Sequence, residues 1–226
     1  MRVALFSDIH GNISGLKAVL AHIDELGGAD ILYAAGDLIT GGPGGEDLLD
    51  LLIERQVHML RGNMEEVVTD LQGSLPRVAE PWKEWAKGTV AWLEERLSPP
   101  YWDLLRSLPL SETVTLAPGK RLLVCHATPR NPWEMVCAAD APLEDLEEAF
   151  GNAEAEIIAY GHYHRHHVMQ LGSKLLLNVA SVGSWNDDFS AWTLLEYSAS
   201  RLVIQQYQVP YDTQEETRLR AQRGVP

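Results

Sequence analysis

The sequence predicts an α/β fold, and three features support this class. Short apolar segments alternate with amphipathic ones over residues 1–60, further apolar segments follow from residue 111, and the composition is that of an ordinary globular protein. A βαβαβ alternation is typical of parallel strands joined by right-handed crossovers. A chain of 226 residues with 46% hydrophobic content can bury a large core. We therefore expect one domain over residues 1–226.

The first predicted elements are three strands separated by two helices. Each strand is a short apolar run, and each helix shows apolar residues at helical spacing or lies between turn signals. In chain order the predicted elements are a strand at 3–6, a helix at 13–26, a strand at 31–35, a helix at 46–54 and a strand at 57–60.

Residues 66–109 have a different pattern, and we predict that they form an inserted helical subdomain. Trp82 and Trp85 belong to an apolar stripe at helical spacing, which favours core packing. Trp92 falls off this stripe and could face a nucleobase, because aromatic rings stack on bases. The subdomain is therefore predicted to be either a lid or the interface of a homodimer.

From residue 111 the chain is rich in predicted strands. Turn residues between short apolar runs indicate hairpins. The predicted hairpins pair 112–116 with 121–125, 168–171 with 174–177, and 191–197 with 202–209. A helix at 142–150 precedes a further strand at 156–160.

Charge and cysteine content narrow the possible functions. The chain has 18 basic and 32 acidic residues, for a formal net charge of −14, which disfavours nucleic-acid polymers and anionic membranes as partners. Cys125 and Cys137 are too few for a disulfide framework, and no apolar run approaches the ~20 residues of a membrane span. The apolar stretch at the start is also too short for a signal peptide. We expect a cytoplasmic protein with a small anionic ligand.

Polar residues of metal-binding type follow five predicted strands. The five clusters are Asp8-Ile9-His10, Gly36-Asp37, Gly62-Asn63, Cys125-His126 and Gly161-His162-Tyr163-His164. Open α/β sheets bind ligands at this edge. Side chains at i and i+2 of an extended segment point the same way, so Asp8 can pair with His10, and His162 with His164.

These residue types predict two divalent metal ions. Carboxylate, amide oxygen and imidazole suit manganese, which we favour, and also iron, zinc or nickel. Asp37 is the natural bridging carboxylate. Two cations about 3.5–4 Å apart would acidify a bridging water and hold the attacking and leaving oxygens of an in-line displacement at phosphorus.

The motifs DIH, GD, GN, H and GHYH, in this order, resemble those of the calcineurin-like metallophosphoesterases. The stretch NVASVG at 178–183 resembles the NPGSVG segment of their small bacterial phosphodiesterase and diadenosine-tetraphosphatase-like branches. The resemblance implies two mixed β-sheets packed as a sandwich flanked by helices. It implies one metal held by Asp8, His10, Asp37 and His164, and another held by Asp37, Asn63, His126 and His162.

Position 64 departs from the family pattern. Many members have a histidine there that protonates the leaving oxygen, but Met64 has no proton to donate. General-acid catalysis is typically worth about 10²–10⁴-fold, so substrates with poor leaving groups should suffer most. We expect phosphodiesters or nucleotide-derived phosphoanhydrides to be better substrates than monoesters. Asp37 and Asn63 are the predicted catalytic residues, with Arg61 and Arg130 as candidates for holding the phosphoryl oxygens.

Two other functions are compatible with the resemblance. A catalytically silent scaffold, as in the retromer-subunit branch of the superfamily, would keep the fold and bind protein partners. A protein phosphatase would depend more on the missing histidine. The full set of seven ligands argues against the scaffold, since a scaffold has no need for them.

Overall fold

The protein is described by a computed structural model over residues 1–136, 141–183, 188–199 and 201–226. Within these residues it contains eight α-helices and ten strands, which form two mixed five-stranded sheets. This confirms the predicted α/β fold. Cys137 lies outside the described residues, and Cys125 is buried.

The strands lie close to their predicted positions. In chain order they are β1 (Arg2–Phe6), β2 (Ile31–Ala34), β3 (His58–Met59), β4 (Ser111–Ala117), β5 (Lys120–Cys125), β6 (Ile157–Tyr160), β7 (His166–Leu171), β8 (Lys174–Val179), β9 (Phe189–Ser198) and β10 (Arg201–Pro210). The helices are α1 (Ile13–Glu25), α2 (Glu46–Glu54), α3 (Asn63–Thr69), α4 (Leu71–Ser74), α5 (Lys83–Glu94), α6 (Pro99–Ser107), α7 (Leu143–Phe150) and α8 (Thr213–Arg223).

Each sheet contains three neighbouring parallel strands. The first sheet has the order β10-β9-β1-β2-β3, in which β1, β2 and β3 are parallel and β9 is antiparallel to both β1 and β10. The second has the order β4-β5-β6-β8-β7, in which β5, β6 and β8 are parallel. The carboxyl ends of the parallel strands carry the polar clusters, so the topology brings these clusters to the sheet edges where a site can form.

Alternation along the strands divides the core into layers. In β1, Val3 and Leu5 belong to the apolar cluster that also contains Val124 and Leu177 of the second sheet. Ala4 and Phe6 belong instead to the cluster formed with the helices of the first sheet. Because successive side chains of a strand point to opposite faces, a strand buried on both sides is apolar throughout.

The region predicted as a helical insertion contains α4, α5, α6 and most of α3. Ala86, Val90 and Leu93 of α5 pack into the same apolar cluster as α1 and α2. Whether this region acts as a lid or a dimer interface stays a prediction.

Among the described residues, no helix has the length and apolar character needed to cross a bilayer.

The expected roles of two tryptophans are wrong. Trp82 is 59% exposed, whereas Trp92 is only 8% exposed and its indole N–H donates to the Arg223 carbonyl at 2.8 Å. The physical reason is a change of helix type: Glu80–Trp82 is a 3₁₀ turn, and α5 begins at Lys83. Trp82 is therefore out of phase with the buried face of α5. Trp92 lies on that face with Thr89 and Leu93, so it is unable to face a nucleobase.

The buried position of Trp92 yields a stability prediction. Trp92→Phe keeps most of the ring packing but removes the N–H donor, so we expect the free energy of unfolding to fall by about 1–2 kcal/mol. The matched variant Trp82→Phe, at an exposed position, should change it by less than about 0.5 kcal/mol. Urea denaturation followed by circular dichroism measures both. Equal losses in the two variants would contradict the assignment of Trp92 to the core.

Candidate metal centre

The first group of predicted ligands joins the loop after β1 to the loop after β6. Asp8 Oδ1 lies 3.0 Å from His164 Nε2, and His10 Nε2 lies 3.2 Å from the same nitrogen. One ligand atom from each of the three residues falls within 4.8 Å of the others. Asp8 is fully buried and His10 is nearly so. The arrangement offers one carboxylate and two imidazoles to a metal ion.

The second group combines residues from both sheets. His126 follows β5, Asn63 begins α3 after β3, and His162 follows β6. The Nε2 atom of His126 lies 2.9 Å from Asn63 Oδ1 and 3.1 Å from His162 Nδ1. His126 Nε2 therefore contacts a potential ligand atom of each of the other two residues, which suits a site for a second ion.

Asp37 lies between the two groups. Its Oδ2 atom is 3.9 Å from His10 Nε2, and its Oδ1 atom is 3.6 Å from His126 Nε2. One oxygen therefore faces each group, which is the position of a bridging carboxylate. The Met64 N–H donates to Asp37 Oδ1 at 2.8 Å and fixes its orientation.

The tautomers of two histidines follow from their backbone partners. His10 Nδ1 lies 3.2 Å from the Thr40 carbonyl, and His126 Nδ1 lies 2.8 Å from the Ala35 carbonyl. Because a carbonyl only accepts, each Nδ1 carries the proton and each Nε2 presents a lone pair to the site. His126 Nε2 thus faces the Asn63 oxygen, another acceptor, at 2.9 Å. The lone pairs of His126 Nε2 and Asn63 Oδ1 would repel each other at this distance unless a cation lay between them. The two residues therefore suit a metal site.

The backbone at the candidate ligands is strained. Asp8, His10, Asp37, His162 and His164 all have positive φ angles, between 48° and 68°. Aspartate and histidine adopt this left-handed region more readily than most residues, but it still costs of order 1–2 kcal/mol per residue. Such strain concentrates at functional sites, where surrounding contacts maintain it. Here it turns each side chain sharply off its strand end and into the site.

The ionisation of the carboxylates and imidazoles reflects their crowding. Burial favours a neutral Asp8, but His164, His126 and His10 outweigh it and hold the pKa of Asp8 well below its usual range. Burial and the Asp8 charge raise the pKa of Asp37. Burial lowers the pKa of His10 to about 4 and, with help from His126, that of His162 to about 3. Burial opposes protonation of His164 as well, but Asp8 and Asp37 outweigh it and raise the pKa of His164. The neutral imidazoles of His10 and His162 are in the form that binds divalent cations.

Residues 178–183 form hydrogen bonds to two of the loops that carry candidate ligands. The Asn178 side-chain amide donates to the Gly161 carbonyl at 2.5 Å. The Ser181 hydroxyl and the Gly183 N–H both donate to the Asp8 carbonyl at 2.9 Å. The NVASVG stretch therefore has a structural role in this chain, since it ties the GHYH turn to the DIH turn.

Glu65 is a second supporting residue, and the sequence interpretation missed it. Its fully buried carboxylate accepts hydrogen bonds of 2.8 Å from the backbone N–H groups of Asp37, Leu38 and Gly62. Burial, followed by the Asp37 charge, raises its pKa to about 7. The available signal was an acidic residue in the first turn after the GN motif, typical of a capping box.

Gly62 allows the two loops to approach each other closely. A Cβ atom at this position would lie 2.1 Å from Asp37 Oδ1 and 2.5 Å from the Asp37 backbone nitrogen. Only glycine fits at such a distance, because the side chain of any other residue would displace the Asp37 carboxylate. The glycine of the GN motif is thus a steric requirement of the site.

The two arginines predicted to hold phosphoryl oxygens are placed elsewhere. The Arg61 guanidinium donates to the Arg106 carbonyl at 2.6 Å, and Arg130 is exposed. Neither is among the described residues that line the cavity over the metal centre, whereas Arg77 is. A direct role of Arg61 or Arg130 in phosphate binding stays a prediction. Sequence pattern could not identify Arg77, because it lies outside every motif.

The three backbone N–H groups that donate to the Glu65 carboxylate yield a second prediction. Glu65→Gln replaces one acceptor oxygen by an NH₂ group that faces backbone N–H donors, so we expect the unfolding free energy of the metal-free protein to fall by about 2–4 kcal/mol. Divalent-ion affinity should fall as well, because the Asp37 loop is no longer fixed. Urea denaturation and titration calorimetry with Mn²⁺ measure these effects. Glu94→Gln, an exposed change of the same kind on α5, is the control, and an equal effect there would refute the role of Glu65.

Comparisons with known proteins agree with this fold. The chain is 22% identical over 227 residues to the uncharacterized protein MJ0912 of Methanocaldococcus jannaschii, covering 93% of this chain and 88% of that protein. The structure of the hypothetical protein PH1004 from Pyrococcus horikoshii OT3 matches all of this chain and 94% of that one, with a TM-score of 0.85 at 18% identity. A metallophosphoesterase from Sphaerobacter thermophilus matches with a TM-score of 0.73 at 20% identity, covering 100% of this chain and 95% of that one. Residues 1–199 match the model of the calcineurin-like phosphoesterase superfamily domain, and the chain therefore belongs to this superfamily.

Proposed function

We propose that this protein is a dinuclear-metal phosphoesterase that hydrolyses phosphodiester or nucleotide-type phosphoanhydride bonds. The observation that carries the proposal is the position of Asp37, with one oxygen toward the His10 group and the other toward the His126 group. A carboxylate that reaches both groups of candidate ligands is the arrangement that a two-ion site requires. Family membership supports the same reaction class.

The side chains of the site bind and orient the reactants. When bound, a pair of divalent ions supplies an acidified water and neutralises charge on the phosphoryl group. Asp8 and Asp37 offset only part of the charge of two such ions, so the site attracts an anion although the chain carries −14 overall. Asn63 adds a ligand without adding charge. We favour manganese, because the ligand set mixes carboxylate, amide and imidazole.

Met64 shapes the choice of substrate. It lines the cavity over the metal centre, where the family pattern has a proton-donating histidine. Since a thioether donates no proton, the leaving group must depart as an anion or take its proton from water. This favours activated diesters and phosphoanhydrides, whose leaving groups are weak bases, over alkyl monoesters. A small nucleotide-derived substrate fits these requirements.

The direct test is metal-dependent hydrolysis. We expect the Mn²⁺-loaded protein to bind about two ions and to hydrolyse bis(p-nitrophenyl) phosphate faster than p-nitrophenyl phosphate. Asp37→Asn should reduce bound manganese to one ion or fewer and lower turnover by about 100-fold or more, since loss of even an outer-shell partner costs 10–100-fold. His58→Gln is the control, because His58 is half-exposed and pairs with Glu112 at 3.0 Å outside the site. Elemental analysis and release of p-nitrophenolate report both quantities. A wild-type protein that binds no metal and hydrolyses neither ester would favour the silent scaffold instead.

The consequence of Met64 can be tested separately. Met64→His restores a possible proton donor beside Asp37, so we expect kcat/KM to rise by about 10-fold or more on esters with poor leaving groups such as phenol. The gain should shrink for p-nitrophenol, whose anion needs no proton. The measurement is the slope of log kcat/KM against leaving-group pKa for aryl phosphates. If turnover rises on neither bis-aryl nor mono-aryl phosphates, the missing acid does not explain the specificity.

A further inference from the structure

The cavity over the metal centre extends well beyond the metal ligands. Its volume is about 700 Å³, which is in the range that holds a complete small ligand. Part of its lining consists of candidate ligands, including Asp37, Asn63 and His162. The rest comes mainly from the helical region and one later loop, and includes Arg77, Val78, Ala79, Trp82, Trp85 and Trp133. The two parts of the lining differ in chemistry, so each suits a different part of a substrate.

Arg77 is held in one orientation by three residues. Its guanidinium donates to Glu66 Oε2 at 3.0 Å and to Asn131 Oδ1 at 2.9 Å, and it lies over the Trp133 ring at 4.6 Å from the centroid. Trp133 is itself fixed, because its indole N–H donates to the same Glu66 oxygen at 2.7 Å. A guanidinium has five N–H groups, so donors remain for a ligand. Such a preoriented planar cation suits a phosphoryl oxygen.

The wall beside Arg77 is apolar and aromatic. Trp82 and Trp85 meet edge to face, with ring centroids 6.1 Å apart and planes at 84°. Trp82 remains 59% exposed, although burying a large aromatic side chain is normally favourable. Val78 and Ala79 continue the same wall. A planar ring that entered the cavity would cover the open tryptophan surface.

We infer that the Trp82–Trp85 wall binds the base of a nucleotide-derived phosphoester while Arg77 holds one of its phosphoryl oxygens. This inference rests on the proposed phosphoesterase function and assigns its substrate class. The Arg77 guanidinium, the Trp82–Trp85 wall and the candidate metal ligands all line one cavity. A nucleotide likewise joins a phosphate and a planar base within one small molecule. Trp133, Glu66 and Asn131 are positioning residues that act through Arg77.

The test compares two ligands that differ only in the base, adenosine 5′-monophosphate and ribose 5-phosphate. Their dissociation constants are measured by titration calorimetry on the Mn²⁺-loaded full chain. We expect the base to tighten binding about tenfold in the wild type, since stacking on an aromatic residue is worth ~1–3 kcal/mol per base. In Trp82→Ala the ratio of the two constants should fall to near one. A ratio near one in the wild type, or an unchanged ratio in Trp82→Ala, would overturn the assignment of the wall.

Arg77 has a different expected signature in the same experiment. Arg77→Gln should weaken both ligands about tenfold and leave their ratio unchanged, because it acts on the shared phosphate. Arg77→Lys keeps the charge without the planar fork and should recover part of the loss. If neither ligand weakens in Arg77→Gln, the phosphate contact is refuted. Arg106→Gln, which removes a guanidinium 6.0 Å from the Trp102 ring outside the described cavity lining, is the matched control.

Hydrolysis separates failure of this inference from failure of the proposed function. A wild type that cleaves bis(p-nitrophenyl) phosphate but does not distinguish the two ligands retains the phosphoesterase function and loses the nucleotide assignment. A wild type that neither cleaves this ester nor binds either ligand refutes both. Phe189→Ala, at a 46% exposed aromatic residue outside the described cavity lining, controls for general effects of deleting an exposed ring.

Discussion

The structure depends on holding two buried carboxylates, Asp8 and Asp37, at neighbouring strand ends. Two like charges in a low-dielectric interior repel strongly, and here burial and the Asp8 charge both raise the cost of ionising Asp37. Burial of Glu65 directly behind Asp37 adds a third acidic group to the same region. Without compensation such a cluster opposes folding. Three backbone N–H groups on Glu65 and the imidazoles around Asp8 supply part of the compensation, and divalent cations are suited to supply the rest.

This constraint explains why so much of the surrounding architecture is rigid. The left-handed backbone at five candidate ligands stores several kcal/mol of strain, which persists only if neighbouring elements hold it. The 178–183 segment, the Gly62 turn and the carbonyls of Thr40 and Ala35 each fix one loop of the site. Most of these supports come from the opposite sheet or from a different crossover. The sandwich therefore serves as a frame that keeps seven side chains within reach of one another.

The sequence was sufficient for the strands and the ligand types because both follow local rules. Apolar runs of four to six residues marked β1, β2, β5 and β6, and a polar cluster followed each of them. Other features depended on contacts that no local rule contains. Helix α8 is polar over most of its length and was not predicted, although Asp212 caps its start and Gly224 ends it in the left-handed conformation. Its position is set by Arg220 and Arg223, which donate to carbonyls of the loop before α2.

The residues that line the cavity could not be predicted from the sequence either, because contacts between distant segments bring them together. Arg77 became a candidate only because Glu66, Asn131 and Trp133, from separate segments, surround its guanidinium. Trp82 is exposed because a 3₁₀ turn shifts the helical phase before α5, and periodicity read over the whole segment could not locate that turn. Trp92 lies within α5 on its buried face. Motif position identified the candidate metal ligands, whereas the residues proposed to select the substrate are visible only in three dimensions.

An enzyme without a proton donor at position 64 needs another source of rate or selectivity. Stacking of a base on Trp82 would stabilise the enzyme–substrate complex and the transition state equally. It would therefore lower KM but would not by itself raise kcat. Arg77 differs, because a fixed cation can stabilise negative charge that grows on a phosphoryl oxygen or on a departing phosphate. A leaving phosphate also needs no proton. On the proposed function, the substitution at Met64 and the preoriented Arg77 therefore favour the same substrates, those in which the bond broken is to a phosphate or to another weakly basic oxygen.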